Sequence, residues 1–276
     1  KNRKENRFSF QIPQHLKIDT KLTIPKISNI KIKLSRRIEG KIKTATISKT
    51  PTNKCFISIL VEQDKQLPKK SKITEKTTIG IDLGIKTFAT ISDGRKIDNP
   101  KFFDKSLKRL KKQQRRLSKK KKGSNNRTKQ RLKVARLFGK INNQGSDFLH
   151  KISHQLTHEN QVKSIAIEDL NVSGLLKNHY LARVISDVSW GEFRRQLEYK
   201  CDWYGRNLMV IGRFEASSKA CGCGYVNQEL KLSDRGWTCL KCKTMHDRDL
   251  LASQNIKRFA LIGSGRPKST LVESSR

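Results

Sequence analysis

The stretch TTIGIDLGIKTFATISDG, residues 77–94, decides the fold because it places one acid inside an apolar strand pattern. Side chains alternate along a strand, so the isoleucines and the leucine share one face and Asp82 lies on the other. Gly80 and Gly84 flank Asp82 on its own face. They leave an open patch where a metal ion or a phosphate can approach the backbone. The stretch therefore predicts a buried strand whose carboxylate is a candidate metal ligand.

Two later segments carry acids in comparable positions. In VKSIAIEDL, residues 162–170, Glu168 stands beside a small neighbour at the end of an apolar strand pattern. A helix pattern over residues 246–262 begins with Asp247 and Asp249, one of which is explained as an ordinary helix cap. For either strand acid alone, a strand-end cap or a pairing with lysine is favoured over catalysis. Because two strands carry the same pattern, an acid beside a small residue on one face, a site shared by both acids is favoured.

Three carboxylates that converge repel one another, and their pKa values rise unless cations neutralise them. Hard divalent cations such as Mg²⁺ prefer carboxylate oxygens. Two such ions, roughly 3.5–4 Å apart, activate a water molecule and stabilise the leaving oxygen in phosphodiester hydrolysis. We therefore predict that Asp82, Glu168 and Asp249 are catalytic residues that hold two Mg²⁺ ions.

The charge of the chain indicates its partners. Its 276 residues include 61 Lys and Arg against 24 Asp and Glu, a formal net charge of +37. Such a chain binds polyanions, with nucleic acid the first expectation and a membrane surface the competing one. The sequence shows neither an apolar run of about 18 residues nor a signal peptide, which predicts no membrane span and no secretion. The expected location is the prokaryotic cytoplasm, in association with the nucleoid.

The N-terminal quarter of the chain, residues 1–75, is β-rich in pattern. IKIKL, residues 30–34, alternates apolar and basic residues as a half-buried strand does. IKTATISK and CFISILVE flank the turn signal TPTN at residues 50–53 and predict a hairpin. The lysines of the polar face serve either solubility or binding to a phosphate backbone, and the charge excess favours binding. Residues 65–76 form a predicted polar linker.

A strongly basic helix is predicted over residues 104–122, DKSLKRLKKQQRRLSKKKK. Leu107, Leu110 and Leu117 recur at helical spacing, and most other positions are Lys, Arg or Gln. The helix is either a plain solvated surface or a contact for phosphates, and the near absence of acids favours phosphates.

The rest of the chain alternates helices with strands. A break over residues 119–126 separates the basic helix from a second helix that runs to about residue 158; a third helix covers 190–204, and a strand covers 207–214. This order predicts an α/β layout. His150, His154 and His158 recur every four residues on the second helix, which favours a polar stripe over a metal site.

The cysteines of the chain are Cys55, Cys201, Cys221, Cys223, Cys239 and Cys242. The last four form two pairs separated by 15 residues, a spacing typical of a zinc ribbon that holds Zn²⁺ with four thiolates. The first pair has one intervening residue, where ribbons usually have two. Four structural thiols without metal are the alternative. The first two cysteines are expected to be small buried hydrophobic residues.

Seven motifs follow one another in order along roughly residues 25–262. They are GIDLGIKTFAT, KKQQRRLSKKKKGSNN, DFLHKIS, AIEDLNVSG, SSKACGCG, WTCLKC and HDRDLLASQNI. In this order they resemble the TnpB (OrfB) family encoded by insertion-sequence transposons, to which the type V CRISPR effector nucleases are related.

The resemblance implies an α/β fold: a RuvC-like nuclease domain of the RNase H fold, interrupted by a zinc ribbon and preceded by a β-barrel "wedge". The expected division is a wedge-like nucleic-acid-binding segment at 1–75, the first RuvC-like part with basic helices at 76–214, the zinc ribbon at 215–245, the last RuvC-like helix at 246–262 and a disordered tail at 263–276. Family members usually carry a helical recognition segment in their N-terminal part, and this chain is expected to begin after it.

The resemblance also implies an RNA-guided DNA endonuclease, with a guide RNA from the transposon end and a target DNA that carries a short flanking motif. Asp82 matches the first catalytic Asp of the family, Glu168 the catalytic Glu and Asp249 the third acid. The zinc ligands are matched by Cys221, Cys223, Cys239 and Cys242. The chain departs from the family pattern at the short first cysteine pair, at Leu251, where Asn is usual, and at Gly145, where Arg is common.

Two other functions fit the same residues. A relative that has lost catalysis would bind DNA or RNA without cutting it, although the three intact acids argue against it. A strand-transferring transposase would join DNA ends instead of only cutting them. Cleavage in Mg²⁺ compared with EDTA separates the nuclease from the binder, and the products on a gel separate it from the transposase.

Overall fold

The structure is a computed structural model. It describes residues 8–12, 17–18, 21–24, 27–159, 161–175, 177, 182–213, 215–231, 233–263 and 266–267. The strands are β1 (Phe8–Ile12), β2 (Lys17–Ile18), β3 (Lys21–Ile24), β4 (Ile27–Lys31), β5 (Lys41–Lys49), β6 (Cys55–Glu62), β7 (Thr78–Leu83), β8 (Thr87–Ile91), β9 (Lys96–Asp98), β10 (Ser164–Glu168), β11 (Asn207–Ile211), β12 (Gly236–Thr238), β13 (Met245–Asp247) and β14 (Arg266–Pro267). The helices are α1 (Phe102–Ser118), α2 (Asn125–His158), α3 (Val172–Leu175), α4 (Ala182–Val188), α5 (Trp190–Trp203) and α6 (Arg248–Ile262), with a 3₁₀ turn at Glu75–Thr77.

The chain divides into two compact units. The first combines residues 1–66 with residues 106–142, and the second combines residues 67–105 with residues 143–276. The mixture of helices and strands confirms the predicted α/β class. Among the described residues, no helix has both the length and the apolar character needed to cross a membrane.

Two antiparallel sheets form the β part of the first unit, in the orders β1-β5-β6 and β2-β3-β4. The predicted hairpin is confirmed: β5 pairs with β6, and Asn53 closes the turn with a φ of 67°. The strand predicted at 30–34 is displaced and lies at Ile27–Lys31. Its last residue, Lys31, is opposite Lys21, the first residue of the partner strand β3.

The core of these two sheets is almost entirely isoleucine. Its members are Ile12, Leu22 and Ile24, with Ile18, Ile30, Ile32, Ile47 and Ile57 partly buried against them. Cys55 lies outside this core and is exposed, so the prediction that it is buried was wrong. Cys55 is the first residue of β6 and directly follows the turn, where little chain is available to cover it. Cys201, by contrast, is buried, as predicted.

A helical pair supplies the basic part of the first unit. The predicted basic helix is α1, and the predicted second helix is α2. Arg127 ties the two together, because its guanidinium donates to the carbonyls of Leu117 at 2.8 Å and Lys120 at 2.9 Å. These carbonyls lie at the end of α1, where backbone acceptors lack helical partners.

A six-stranded sheet organises the second unit, in the order β14-β11-β10-β7-β8-β9. β7, β8 and β9 are antiparallel neighbours, whereas β10 and β11 run parallel to β7. One turn was expected within residues 77–98, at Asp93 and Gly94, and it is present with a φ of 94° at Gly94. A second turn was missed: Gly84 donates its N–H to the carbonyl of Phe88 at 3.1 Å, and the chain reverses between β7 and β8.

The two faces of this sheet bury different sets of residues. One face carries Ile79, Ile81, Ile165 and Ile167 and packs in a core with α5 and the end of α2. The other carries Ala166, Met209 and Ile211 and packs against α6. Gly80 lies on the α6 face, where an added Cβ would stand 2.1 Å from the carbonyl oxygen of Ser253.

The predicted disordered tail lies mostly outside the described residues. Arg266–Pro267 is described, and it forms β14, which pairs antiparallel with β11.

Candidate functional site

Asp82 and Glu168 end two neighbouring parallel strands. β7 and β10 pair with Gly80 opposite Ala166 and Ile81 opposite Ile167. The next residues along the two strands are Asp82 and Glu168. Because side chains alternate, both carboxylates stand on the face shared by Gly80 and Ala166, which is the face that α6 covers. Small residues on this face leave room for the helix to approach closely.

The N-terminus of α6 brings the third acid to the same region. Asp247 is the N-cap, since its Oδ1 accepts hydrogen bonds from the N–H groups of Asp249 and Leu250, both at 3.0 Å. Its other oxygen binds Lys96 Nζ at 2.9 Å. Asp247 is therefore the aspartate that caps the helix. Asp249 lies 3.6 Å from Arg235 in an ion pair, and its negative charge acts on Asp82.

The three acids interact electrostatically. Burial raises the pKa of Asp82 to about 7, and the negative charges of Asp249 and Glu168 add to the rise, whereas Arg248 opposes it. Burial also raises the pKa of Glu168 to about 7. A half-buried set of carboxylates with such pKa values binds either protons or metal cations near neutral pH. The donor set therefore fits hard divalent cations, which prefer carboxylate oxygens.

The four ribbon cysteines bring their sulfur atoms together. All four Sγ atoms lie within 4.8 Å of one another. Cys221 Sγ and Cys242 Sγ are 3.5 Å apart, as are Cys223 Sγ and Cys239 Sγ. Four sulfurs around a tetrahedral Zn²⁺, with bonds of about 2.3 Å, would be about 3.8 Å apart. The cluster is far too wide for disulfides and could hold a metal ion such as zinc. Among the described residues, the carboxylate oxygens of Asp82, Glu168 and Asp249 do not form a group with atoms as close together as these four sulfurs.

The short first cysteine pair is accommodated by a tight turn. Gly224 has a φ of 90° and donates its N–H to the carbonyl of Cys221 at 3.0 Å. Cys221 donates in turn to the carbonyl of Tyr225 at 2.8 Å. Both sulfurs of the pair therefore reach the cluster although one intervening residue is absent.

His246 is a residue of the cysteine cluster that the sequence did not reveal. Its Nε2 lies 3.2 Å from Cys221 Sγ, and its ring packs on Trp237 with centroids 4.8 Å apart. The position follows from the pairing of β12 with β13, which sets Trp237 opposite His246. The only sequence signal is its place four residues after Cys242 and directly before Asp247.

Two further residues of α6 join the helix to the cysteine cluster. Asn255 is buried, and its Nδ2 donates to the carbonyls of Ser217 at 2.7 Å and Ala220 at 2.6 Å. Leu251 is buried in a cluster with Trp237 and two of the cysteines. The helix that carries Asp249 is thus fixed to the segment that carries the four cysteines.

Two of the three histidines of α2, His154 and His158, form a ring cluster with Tyr204. The rings of His154 and His158 lie 4.9 Å apart, and Tyr204 Oη is 3.3 Å from His154 Nδ1. None of the three histidines belongs to a metal-ligand group among the described residues.

A basic groove of about 560 Å³ lies between α1 and α2 in the first unit. Its lining residues are Arg109, Gln113, Arg116, Lys133, Arg136, Leu137 and Lys140. Gln130 fixes the two helices, since its Nε2 donates to Gln113 Oε1 at 2.8 Å. The lining holds cations and no carboxylate, a composition suited to phosphate groups.

Two segments of the chain match models of known protein families. Residues 58–179 match a family model, OrfB_IS605, described as "Probable transposase". Residues 190–256 match a model described as "Cas12f1-like, TNB domain".

Individual relatives extend these matches. A Streptomyces pristinaespiralis protein named "Putative RNA-guided DNA endonuclease" is 46% identical over 222 residues, which cover 80% of this chain and 54% of that protein. The Escherichia coli K12 protein named "Putative RNA-guided DNA endonuclease InsQ" is 31% identical over 285 residues, 94% of this chain and 69% of that protein. The chain thus spans about half to two thirds of the relatives' length. A solved "Cas12f1-sgRNA-target DNA complex" aligns with a TM-score of 0.48 and 16% identity, over 77% of this chain and 55% of that one.

Proposed function

Because the chain belongs to the TnpB (OrfB) family of transposon proteins, we propose that it is an RNA-guided DNA endonuclease that hydrolyses phosphodiester bonds with two divalent metal ions. The observation that carries the proposal is the register of β7 and β10, which sets Asp82 beside Glu168 on the sheet face that α6, the helix bearing Asp249, covers. Burial raises the pKa of Asp82 to about 7, and the negative charges of Asp249 and Glu168 add to the rise.

We further propose that the six-stranded sheet and its helices are a RuvC-like domain of the RNase H fold, within the expected range 76–214 and 246–262. Support comes from the sheet itself, in which an antiparallel meander is extended by two parallel strands. The ribbon between, residues 215–245, would hold a structural Zn²⁺ through its four cysteines. Residues 1–75 would be the wedge-like nucleic-acid-binding segment.

The acids of the site would hold two Mg²⁺ ions, which would supply a metal-bound nucleophilic water and neutralise the leaving oxygen. The residues of this chain determine the positions of the three carboxylates. Asp82 and Glu168 are set side by side by the register of β7 and β10, which fixes the spacing of the two carboxylates. Asp249 is oriented by the Asp247 cap, and Lys96 anchors that cap from β9.

The partners follow from the charge and from the names of the relatives. Relatives that share 46% and 31% identity are named for RNA-guided DNA cleavage. The net charge of +37 suits a protein that holds a guide RNA and a DNA target together. In such a system base pairing reads the sequence, and the protein reads backbone shape and a short flanking motif.

Site variants test the nuclease proposal. Asp82→Ala, Glu168→Gln and Asp249→Asn should each lower cleavage of a guide-matched DNA by at least about 100-fold, since each removes a metal ligand. Asp98→Asn, an exposed acid of the edge strand β9, is the matched control and should cut normally. Wild-type cleavage in the Asp82 variant, or cleavage that persists in EDTA, contradicts the proposal. Binding that is unaffected by EDTA and never followed by cutting identifies a binder without catalysis.

Strand transfer is a second candidate, favoured by the family description "Probable transposase". It would use the same acids but would join the cut end to a second DNA. Products longer than the substrate on a denaturing gel identify strand transfer, and shortened products alone identify hydrolysis.

A further inference from the structure

The C-terminal end of α5 carries an exposed tryptophan that the proposed nuclease site does not use. Trp203 is 53% exposed, whereas Trp190 is 5% and Trp237 is 7% exposed. Single exposed apolar residues are common on protein surfaces, so exposure alone indicates nothing. The residues around Trp203 are what make this position informative.

The exposed indole is held in a defined position. Arg195, Tyr199 and Trp203 recur every four residues and therefore lie on one face of α5. The Tyr199 and Trp203 rings are 4.7 Å apart at an interplanar angle of 63°, and the Arg195 guanidinium lies 5.6 Å from the centre of the Tyr199 ring. Glu192 holds that guanidinium with hydrogen bonds of 2.7 and 2.8 Å. An indole ordered in advance loses little conformational freedom when a partner binds it.

A basic segment is fixed beside the same helix end. Ser71 donates its N–H to the carbonyl of Gly205 at 3.0 Å, and Asn207 Nδ2 donates to the carbonyl of Ser71 at 2.7 Å. Lys70 Nζ lies 3.1 Å from Asp202, the residue directly before Trp203. The exposed lysines of this segment are Lys69, Lys70, Lys72 and Lys76.

The pairing of a fixed aromatic ring with neighbouring cations has a specific use. Every nucleobase has a π-face that stacks on an aromatic side chain, and a single strand presents such faces while a duplex keeps them within its own stack. The lysines provide contacts for the phosphates that accompany the bases. A protein partner would not need this concentration of cations.

We propose that the Trp203 surface, formed by Tyr199, Trp203 and the lysines Lys69, Lys70 and Lys72, binds unpaired nucleobases of a single-stranded nucleic acid. Trp203 stacks on a base, and the lysines contact the adjacent phosphates. The proposal rests on the proposed function in so far as the chain acts on nucleic acid. It adds a binding surface at the end of α5, on residues separate from the three acids.

Intrinsic fluorescence provides a direct test, because Trp203 is the exposed one of three tryptophans. Iodide quenches exposed tryptophans and therefore reports the emission of Trp203. Titration with a short thymidine oligonucleotide or its RNA counterpart should quench this same part of the emission. A base-free deoxyribose-phosphate oligomer of equal length supplies the charge alone and should leave the emission nearly unchanged. Quenching by DNA, by RNA or by both then identifies the strand that the surface accepts.

Variants separate stacking from charge. Trp203→Ala should weaken single-strand binding about tenfold, a typical loss for one stacked base, without changing the slope of affinity against salt. Trp203→Phe should keep most of the affinity and abolish the quenching. Replacement of Lys69 and Lys72 by Gln should lower the slope instead, by about 0.7 for each phosphate contact. Ile262→Ala, an exposed residue at the end of α6, is the control for loss of apolar surface.

The outcomes distinguish this proposal from the proposed function. Unchanged affinity in Trp203→Ala, or equal quenching by the base-free oligomer, overturns the stacking surface while cleavage by the three acids stands. Loss of cleavage in the acid variants together with base-specific quenching at Trp203 supports both proposals. Absence of any binding to oligonucleotides overturns the Trp203 surface, and cleavage of a guide-matched DNA by the wild type and the acid variants still decides the nuclease proposal.

Discussion

At the scale of single residues, Asp82 is a carboxyl group whose surroundings disfavour its ionised form. It stands between two glycines on a strand, and burial together with Asp249 and Glu168 raises its pKa to about 7. A buried carboxyl group in this position lowers stability when it is ionised, and a bound cation of the kind proposed above would offset that loss.

Asp82→Asn should stabilise the protein in EDTA at about pH 8. In the folded state Asp82 and Glu168 keep their protons up to about pH 7, whereas unfolded carboxyls lose them near pH 4. Their contribution to the free energy of unfolding therefore falls as pH rises from about 4 to about 7, and it stays low above that range. The variant removes one of these ionisations, and its Tm should rise by about 3 °C.

Mg²⁺ provides the counterpart to this measurement. It should raise the Tm of the wild type at about pH 8 through binding to the folded state, and it should do so much less in Asp82→Asn. Asp98→Asn should behave as the wild type under both conditions. A lower Tm for Asp82→Asn in EDTA, with an intact Mg²⁺ response, contradicts the assignment.

His246→Ala should weaken zinc binding by about 10- to 100-fold, the usual loss when a hydrogen bond to a metal ligand is removed. Competition with a chromophoric chelator measures the affinity. The absorption spectrum of the Co²⁺-substituted protein should still show four thiolates, because His246 contacts Cys221 Sγ and is not needed as a ligand. His158→Ala, an exposed histidine of α2 outside the cysteine cluster, is the control. A wild-type spectrum with one nitrogen ligand would make His246 a ligand instead.

At the scale of elements, α6 connects both candidate centres. It packs on the glycine face of β7, its first turn carries Asp249, and Asn255 and Leu251 fix it to the cysteine segment. The position of the third acid therefore depends on how closely the helix lies on the sheet.

Gly80→Ala tests that dependence. Its Cβ would lie 2.1 Å from the carbonyl oxygen of Ser253 and 2.7 Å from the N atom of Lys257, and both are backbone atoms that cannot move independently of the helix. We expect a loss of about 2–3 kcal/mol in the free energy of unfolding, together with a loss of cleavage. Gly145→Ala is the control: nothing lies within 4 Å of the added carbon, and the change should stabilise α2 by about 0.5–1 kcal/mol. Equal effects in chemical denaturation would contradict the close approach of α6.

At the scale of the whole molecule, the net charge of +37 makes electrostatics the first determinant of binding. Such a charge repels itself in the free protein and attracts any polyanion. Specific contacts are therefore to be sought where cations line a shaped surface, as in the groove between α1 and α2.

Replacement of groove cations should lower the salt dependence of duplex DNA binding. The four residues to change to Gln are Arg109, Arg116, Lys133 and Arg136. If each contacts a phosphate, the slope of log K against log salt should fall by about 3 to 4. A control with the same change in net charge replaces lysines of the ribbon, namely Lys219, Lys231, Lys241 and Lys243. Equal slopes for the two variants would mean that bulk charge, and not the groove, governs binding.

The sequence by itself determined the local elements and the chemistry of the candidate site. Alternation placed Asp82 and Glu168 on the faces opposite their isoleucines, helical spacing predicted α1, α2, α5 and α6, and cysteine spacing predicted the sulfur cluster. These features depend on residues near one another in the chain, so local periodicity is enough to reveal them.

Only the tertiary structure decided how distant segments meet. It set β7 beside β10, made Asp247 the cap of α6, brought His246 to Cys221, and fixed the lysine segment beside the end of α5. It also ended β4 early and left Cys55 exposed. Strand register, helix docking and burial are set by partners far along the chain, and no local pattern of side chains contains that information.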